Sequence, residues 1–132
     1  MPELDDELYE MAAHKAGCIQ SHPQPSQWLL IDGQKRHIIN PKQKLSMFKS
    51  MTCKHITGND IDQIPTGDPL GPKTMLIRGK GRSRVYLVID GVKRWIENPK
   101  TFNAMEFDWK KIKNVNPEVV DHLKTGKSIR VD

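Results

Sequence analysis

The chain is poor in the residues that build large cores and rigid frameworks. Of 132 residues, 36% are hydrophobic, only three Trp, two Tyr and three Phe are present, and there are two cysteines. A core of that content is thin, so a surface-rich fold is expected. No apolar run approaches the roughly 20 residues of a membrane-spanning helix. Two cysteines without a close His or Cys partner make neither a zinc signature nor a disulfide framework. The first ten residues, MPELDDELYE, contain no Lys or Arg and cannot be the basic start of a secretory signal. Synthesis in the cytoplasm without a signal peptide is therefore expected, with any exit by lysis or a specialised route into a virion or an extracellular assembly.

Charge is abundant but unevenly placed. The net charge is +5, and the five acidic residues among the first ten leave +10 on the rest. An acidic head on a basic body predicts head-to-body contact, within the chain or between copies, and an anionic partner for the body.

The strongest pattern is internal. WLLIDGQKRHIINPK (28–42) and YLVIDGVKRWIENPK (86–100) align at an offset of 58. Leu29, Ile31, Asp32, Gly33, Lys35, Arg36, Ile38, Asn40, Pro41 and Lys42 meet identical residues in the second copy. Upstream, Cys18-Ile19 faces Leu76-Ile77. Downstream, after one inserted residue, KHITGNDIDQIPTG (54–67) faces KNVNPEVVDHLKTG (113–126). Such matching implies a duplicated unit, with boundaries at 17–70 and 75–132 and the two units sharing a core.

Each unit reads as a sequence of local signals. Asp32-Gly33 and Asp90-Gly91 suit type I′ turns between paired strands, 28–31 with 34–39 and 86–90 with 92–97. An earlier strand, 17–21 or 75–79, completes a three-stranded meander. Asn40-Pro41 and Asn98-Pro99 look like helix starts, with Asn as cap and Pro in the first turn. These predict short helices over 41–48 and 99–105. Short strands at 53–56 and 111–115 should follow. Second helices should begin at Thr57 and Asn116-Pro117 and close at Gly67 and Gly126. Residues 1–16 lie outside the repeat. Leu4, Leu8, Met11 and Ala12 share a helical face there, so an amphipathic helix is expected that packs on its own domain or docks a neighbouring copy.

The duplication also serves as a control for chemistry. Cys18 faces Leu76 and Cys53 faces Ile112, which favours buried free thiols. His37 faces Trp95, His55 faces Asn114, His22 faces Lys80 and His122 faces Gln63, while His14 lies in the first sixteen residues. No nucleophile–base arrangement is supported. The turn accounts for Asp32 and Asp90, and a salt bridge or cap for Asp62 and Asp121. No phosphate loop, dinucleotide fingerprint or metalloprotease motif is present. A non-enzymatic protein without cofactor or metal is expected.

Binding is then the remaining role. Arg78, Lys80, Arg82 and Arg84 alternate around one loop and would share a face. Lys35-Arg36, Lys93-Arg94 and Lys110, Lys111 and Lys113 add basic patches. Trp95, Trp109 and His37 interleave aromatic surface with this charge, and aromatic and Arg side chains are common anchors. Arg36 and Arg94 fall in phase with Ile38 and Ile96, so we expect them buried and paired with a carboxylate or carbonyl. Trp28 and Tyr86 are expected in the core. Nucleic acid is disfavoured, because no recognition helix, RNA-binding strand motif or zinc finger accompanies the charge.

Copy two carries Leu76-Ile77, Tyr86-Leu87, Asp90-Gly91, Lys93-Arg94, Phe102 and Phe107-Asp108-Trp109. This pattern resembles a short hairpin–helix repeat of bacterial secreted and cell-wall-associated proteins. It departs at Glu106, where that repeat usually has Gly. Copy one has Trp28 for the Tyr and lacks the Asp-Trp ending. The resemblance implies a non-catalytic module that binds surface polymers.

Together these readings predict an α+β protein: two tandem units of a three-stranded meander with short helices, preceded by an N-terminal helix. The expected function is that of a structural or adaptor subunit in a larger assembly, such as a phage particle, tail or surface appendage. It would contact protein subunits or an anionic polymer through a basic, aromatic-bearing surface. A glycan-binding or surface-polymer module is the alternative.

Overall fold

A computed structural model describes residues 17–21 and 23–131. The helix expected over 1–16, its proposed role in self-association, His14 and His22 all lie outside the described residues. The fold is α+β, with two mixed sheets and short helices.

The first half comprises β1 (Gly17–Gln20), β2 (Gln27–Ile31), β3 (Gln34–His37), α1 (Pro41–Leu45), β4 (Lys54–His55) and α2 (Gly58–Gln63). The second comprises β5 (Met75–Gly79), β6 (Val85–Ile89), β7 (Val92–Ile96) and α3 (Pro99–Ala104). A 3-10 turn (Trp109–Lys111), β8 (Lys113–Val115), α4 (Pro117–His122) and β9 (Lys124–Thr125) follow. The two Asp-Gly pairs sit where φ is positive, at 56° and 73° for Asp32 and Gly33 and 55° and 79° for Asp90 and Gly91. Both residues of a type I′ turn require that conformation, and the turn's twist matches the paired strands. The Asn40 and Asn98 side chains each accept a bond of 2.8 Å from the backbone N of Gln43 and Thr101, capping α1 and α3.

The expected three-stranded meanders form as β1-β2-β3 and β5-β6-β7, and β4 and β8 extend them, adding parallel to β1 and β5 at matching registers, Ile19 opposite Lys54 and Ile77 opposite Lys113. Two expectations are corrected. The helices are shorter than predicted, ending at Leu45 and Ala104. Gly67 and Gly126 do not close α2 and α4, which stop at Gln63 and His122 with extended residues after them. These glycines instead run beside β3 and β7, donating to the Lys35 and Lys93 carbonyls at 3.0 and 2.9 Å. An added Cβ would come within 2.6 Å of Gln34 or 2.8 Å of Val92. Side chains of the neighbouring strand, rather than a helix end, crowd the position and favour glycine there.

The core explains the unbroken apolar runs in WLLI and YLVI. One face of each sheet joins a shared core containing Leu29, Ile31 and Phe48 from one half and Leu87, Ile89 and Phe107 from the other. The opposite faces bury Ile19 and Leu30 under α2, and Ile77 and Val88 under α4. Strands covered on both sides need apolar residues at every position.

The halves meet reciprocally. Phe48 and Phe107 pair across the interface with ring centroids 5.1 Å apart. Lys49 N donates to Glu106 O at 3.0 Å and Asp108 N to Met47 O at 2.8 Å. Arg36 forks onto Asp90 with two bonds of 2.7 Å, and Arg94 forks onto Asp32 at 2.5 and 2.9 Å. The turn therefore accounts for only part of Asp32 and Asp90: each also receives the arginine of the other half. Lys35 and Lys93 are buried, not surface charge. Lys35 Nζ donates to the Ile61 and Ile64 carbonyls at 3.0 and 2.7 Å, and Lys93 Nζ to Val120 O at 2.6 Å, so each satisfies the C-terminal end of the helix above it.

The cysteines are also corrected. Cys18 and Cys53 form a disulfide, with Cα atoms 4.9 Å apart, joining β1 to the segment that enters β4. Each was matched separately to an apolar residue, so their proximity in space was missed.

Candidate binding grooves

The same depression forms once in each half, between the loop entering the second strand and the start of the first helix. In the first half it is about 370 Å³ and lined by residues including Ser26, His37, Ile39, Asn40, Pro41 and Met51. In the second it is about 330 Å³, with Arg84, Trp95, Glu97, Asn98 and Pro99 at equivalent places and Trp109, which aligns with Ser50, completing the lining. The Asn-Pro helix start creates both, because the cap turns the chain away from the strand end and leaves a wall on either side.

The two grooves differ in lining. In the second half the Arg84 guanidinium carbon lies 4.0 Å from the Trp95 ring centroid, a cation–π contact. Trp109 stacks on buried Phe102 with centroids 3.9 Å apart and planes tilted by 31°. Its indole Nε1 donates to Asn103 Oδ1 at 2.9 Å, which fixes the ring while leaving Trp109 41% exposed. Glu97 and Asn98 add polar groups on the wall. In the first half, His37 packs against Trp28 at 5.1 Å, and Ile39 and Met51 supply exposed apolar surface without a stacked indole.

The structure divides the basic cluster expected at 78–84. Arg82 forks onto Asp121 of α4 at 2.7 and 3.1 Å. That bond holds the Asp121 carboxyl below its usual range. Arg78 Nε donates to Asn114 Oδ1 at 3.3 Å, and Lys80 is exposed. Arg84 alone of the four lines the aromatic groove. Trp95, Trp109 and Arg84 therefore come together, His37 holds the equivalent place in the other half, and Arg78, Lys80 and Arg82 are not part of either lining. Lys110, Lys111 and Lys113 are exposed beside Trp109 in sequence.

Arg36 and Arg94 are buried and paired with carboxylates. The Arg36 bond holds the Asp90 carboxyl below its usual range, outweighing the opposing effect of burial. Trp28 and Tyr86 pack partly buried on the clusters under α2 and α4. Asn98 and Pro99, expected only as a helix start, also wall the groove. Phe102 and Glu97 were missed as groove residues, although the repeat offered a signal: both stand where copy one has a different chemical type, Lys44 and Ile39. Among the described residues, no group of three His, Cys, Asp or Glu is placed to hold a metal, and no helix is long and apolar enough to cross a membrane. No family model matches this chain, and neither a curated protein nor a solved structure matches it.

Proposed function

We propose that the protein is a non-catalytic binding subunit that carries a partner in the aromatic groove of its second half and works as an adaptor within a larger assembly. The observation that carries this reading is the paired groove. One architecture is built twice, and only one copy arms it with a braced, exposed Trp109 and an Arg84 over Trp95. Rigid aromatic surface with an arginine beside it is the composition of binding anchors.

A second reading is favoured by the groove's rim. An exposed indole flanked by Glu97, Asn98 and Arg84 suits a sugar ring, which stacks on aromatic surface and hydrogen-bonds around its edge. This supports the surface-polymer module that the hairpin–helix resemblance implies. The disulfide supports an oxidising setting outside the cytoplasm in either case.

Titration of the intact protein with cell-wall glycans and with candidate assembly subunits, using the native chain and W109A, tests both. We expect W109A to weaken binding by at least about tenfold while leaving the fold unchanged. Retained affinity in folded W109A removes the groove from consideration. Light scattering then separates the readings, since a monomer that binds glycan and no subunit defeats the adaptor role.

A further inference from the structure

The halves differ at one buried place in a coordinated way. Cys18, Lys44 and Cys53 occupy positions held by Leu76, Phe102 and Ile112, and all six are buried. One half thus encloses a cation and two sulfurs where the other encloses an apolar trio. A fourth residue completes the change. Met47 matches Met105 and Phe48 matches Phe107, so Glu106 is the single inserted residue between them. It adopts φ of 64°, a left-handed conformation that disfavours a residue bearing a Cβ. Its Oε2 lies 3.4 Å from the Cys18 backbone N, across the interface between halves.

Lys44 is 1% exposed, with Nζ 2.9 Å from Cys18 Sγ and 4.0 Å from the Phe48 ring centroid. A buried ammonium needs strong acceptors, and a disulfide sulfur is a weak one. A thiolate at the same place would form a full ion pair with it. Burial lowers Lys44 to about 8, with Glu106 opposing the shift, so the side chain keeps most of its charge at neutral pH. A cavity of about 470 Å³ reaches this cluster from solvent, lined by Lys44, Lys49, Lys54, Cys53 and Glu106 among others.

We propose that Cys18–Cys53 is a thiol-exchange site for a low-molecular-weight monothiol of the glutathione class, with Lys44 stabilising Cys18 as the leaving thiolate. The incoming thiolate enters the cavity and attacks Cys53 Sγ. The Cys18–Cys53 bond breaks, its electron pair leaves on Cys18 Sγ, and a mixed disulfide forms on Cys53. Attack by Cys18 on that mixed disulfide restores the bridge and releases the monothiol. A second monothiol instead completes reduction of both cysteines and leaves as an oxidised dimer. Lys44 acts through Cys18 and is a positioning residue.

The test measures reduction of the intact chain by glutathione, and the pH dependence of Cys18 alkylation in C53S. Lys44, Lys49, Lys54 and Glu106 are the charged groups around the reacting sulfurs. Cys18 is expected to titrate at least about one unit below an ordinary thiol. K44M should raise that value and slow reduction at least about fivefold, while K44R restores most of the rate. K44Q, which keeps a polar side chain at this place without the charge, should raise the Cys18 value and slow reduction as K44M does, and decides the matter if K44M fails to fold. Mass spectrometry of the quenched reaction should place glutathione on Cys53. An ordinary or raised Cys18 titration, a rate unchanged in folded K44M or K44Q, or glutathione on Cys18 overturns the proposal.

Discussion

Beneath the first helix of each half lies one side chain that closes the core. In the first half it is Lys44, set against the Cys18–Cys53 bridge; in the second it is Phe102, on which Trp109 stacks. The surrounding frame is common to both: the same turn, the same cap, the same parallel fourth strand and the same arginine reaching across. Shared residues thus serve folding, and the residues that differ carry distinct chemistry, polar and sulfur-bearing on one side, aromatic and open on the other.

The largest expected break in this comparison is at the bridge, which closes a separation of 35 residues. C18A/C53A should lose about 3–4 kcal/mol in urea denaturation, chiefly through the freer unfolded chain. The second half offers no equivalent covalent support, so a loss below about 1 kcal/mol would show that the first half needs none either. Next come the crossed ion pairs. R36M and R94M should each cost about 1–3 kcal/mol, held down because Asp90 and Asp32 are half-exposed. The two costs should agree within about 1 kcal/mol, because each mutation removes the same fork and an Nε–carbonyl bond, Arg36 losing besides only a long bond of 3.4 Å to Pro69 O. Clearly unequal costs would show that the geometric symmetry is not an energetic one.

The smallest effect concerns pH. Because the folded Asp90 carboxyl is held below its unfolded value, its contribution is complete above the ordinary carboxylate range and disappears as pH falls through the depressed value. D90N should therefore flatten the acid limb of the stability curve below about pH 4 and leave its slope near pH 7 unchanged. Identical acid limbs for the two proteins would mean that the Arg36 pair contributes no stability.

Much of the frame was legible because it is written in short-range chemistry. Asp-Gly specifies a turn within two residues, and Asn-Pro specifies a helix start within four. The groove was partly legible, since Trp95, Trp109 and Arg84 were singled out, but as members of a wider basic surface. Arg82 left that set because Asp121, 39 residues away, holds it. Lys35 and Lys93 looked like surface charge because periodicity records which face a residue occupies and not what covers it. The helix ends above them do the covering.

From the order of its residues alone, this protein reveals that a module was doubled and how each copy turns and caps itself, since those signals are satisfied by near neighbours. Folding decides which carboxylate meets which arginine, that two cysteines meet, and that a lysine is enclosed beside them. Those outcomes depend on contacts between segments 26 to 62 residues apart, where tertiary packing, within the first half for the cysteines and lysine and between the halves for the arginines, and no local pattern, selects the partner.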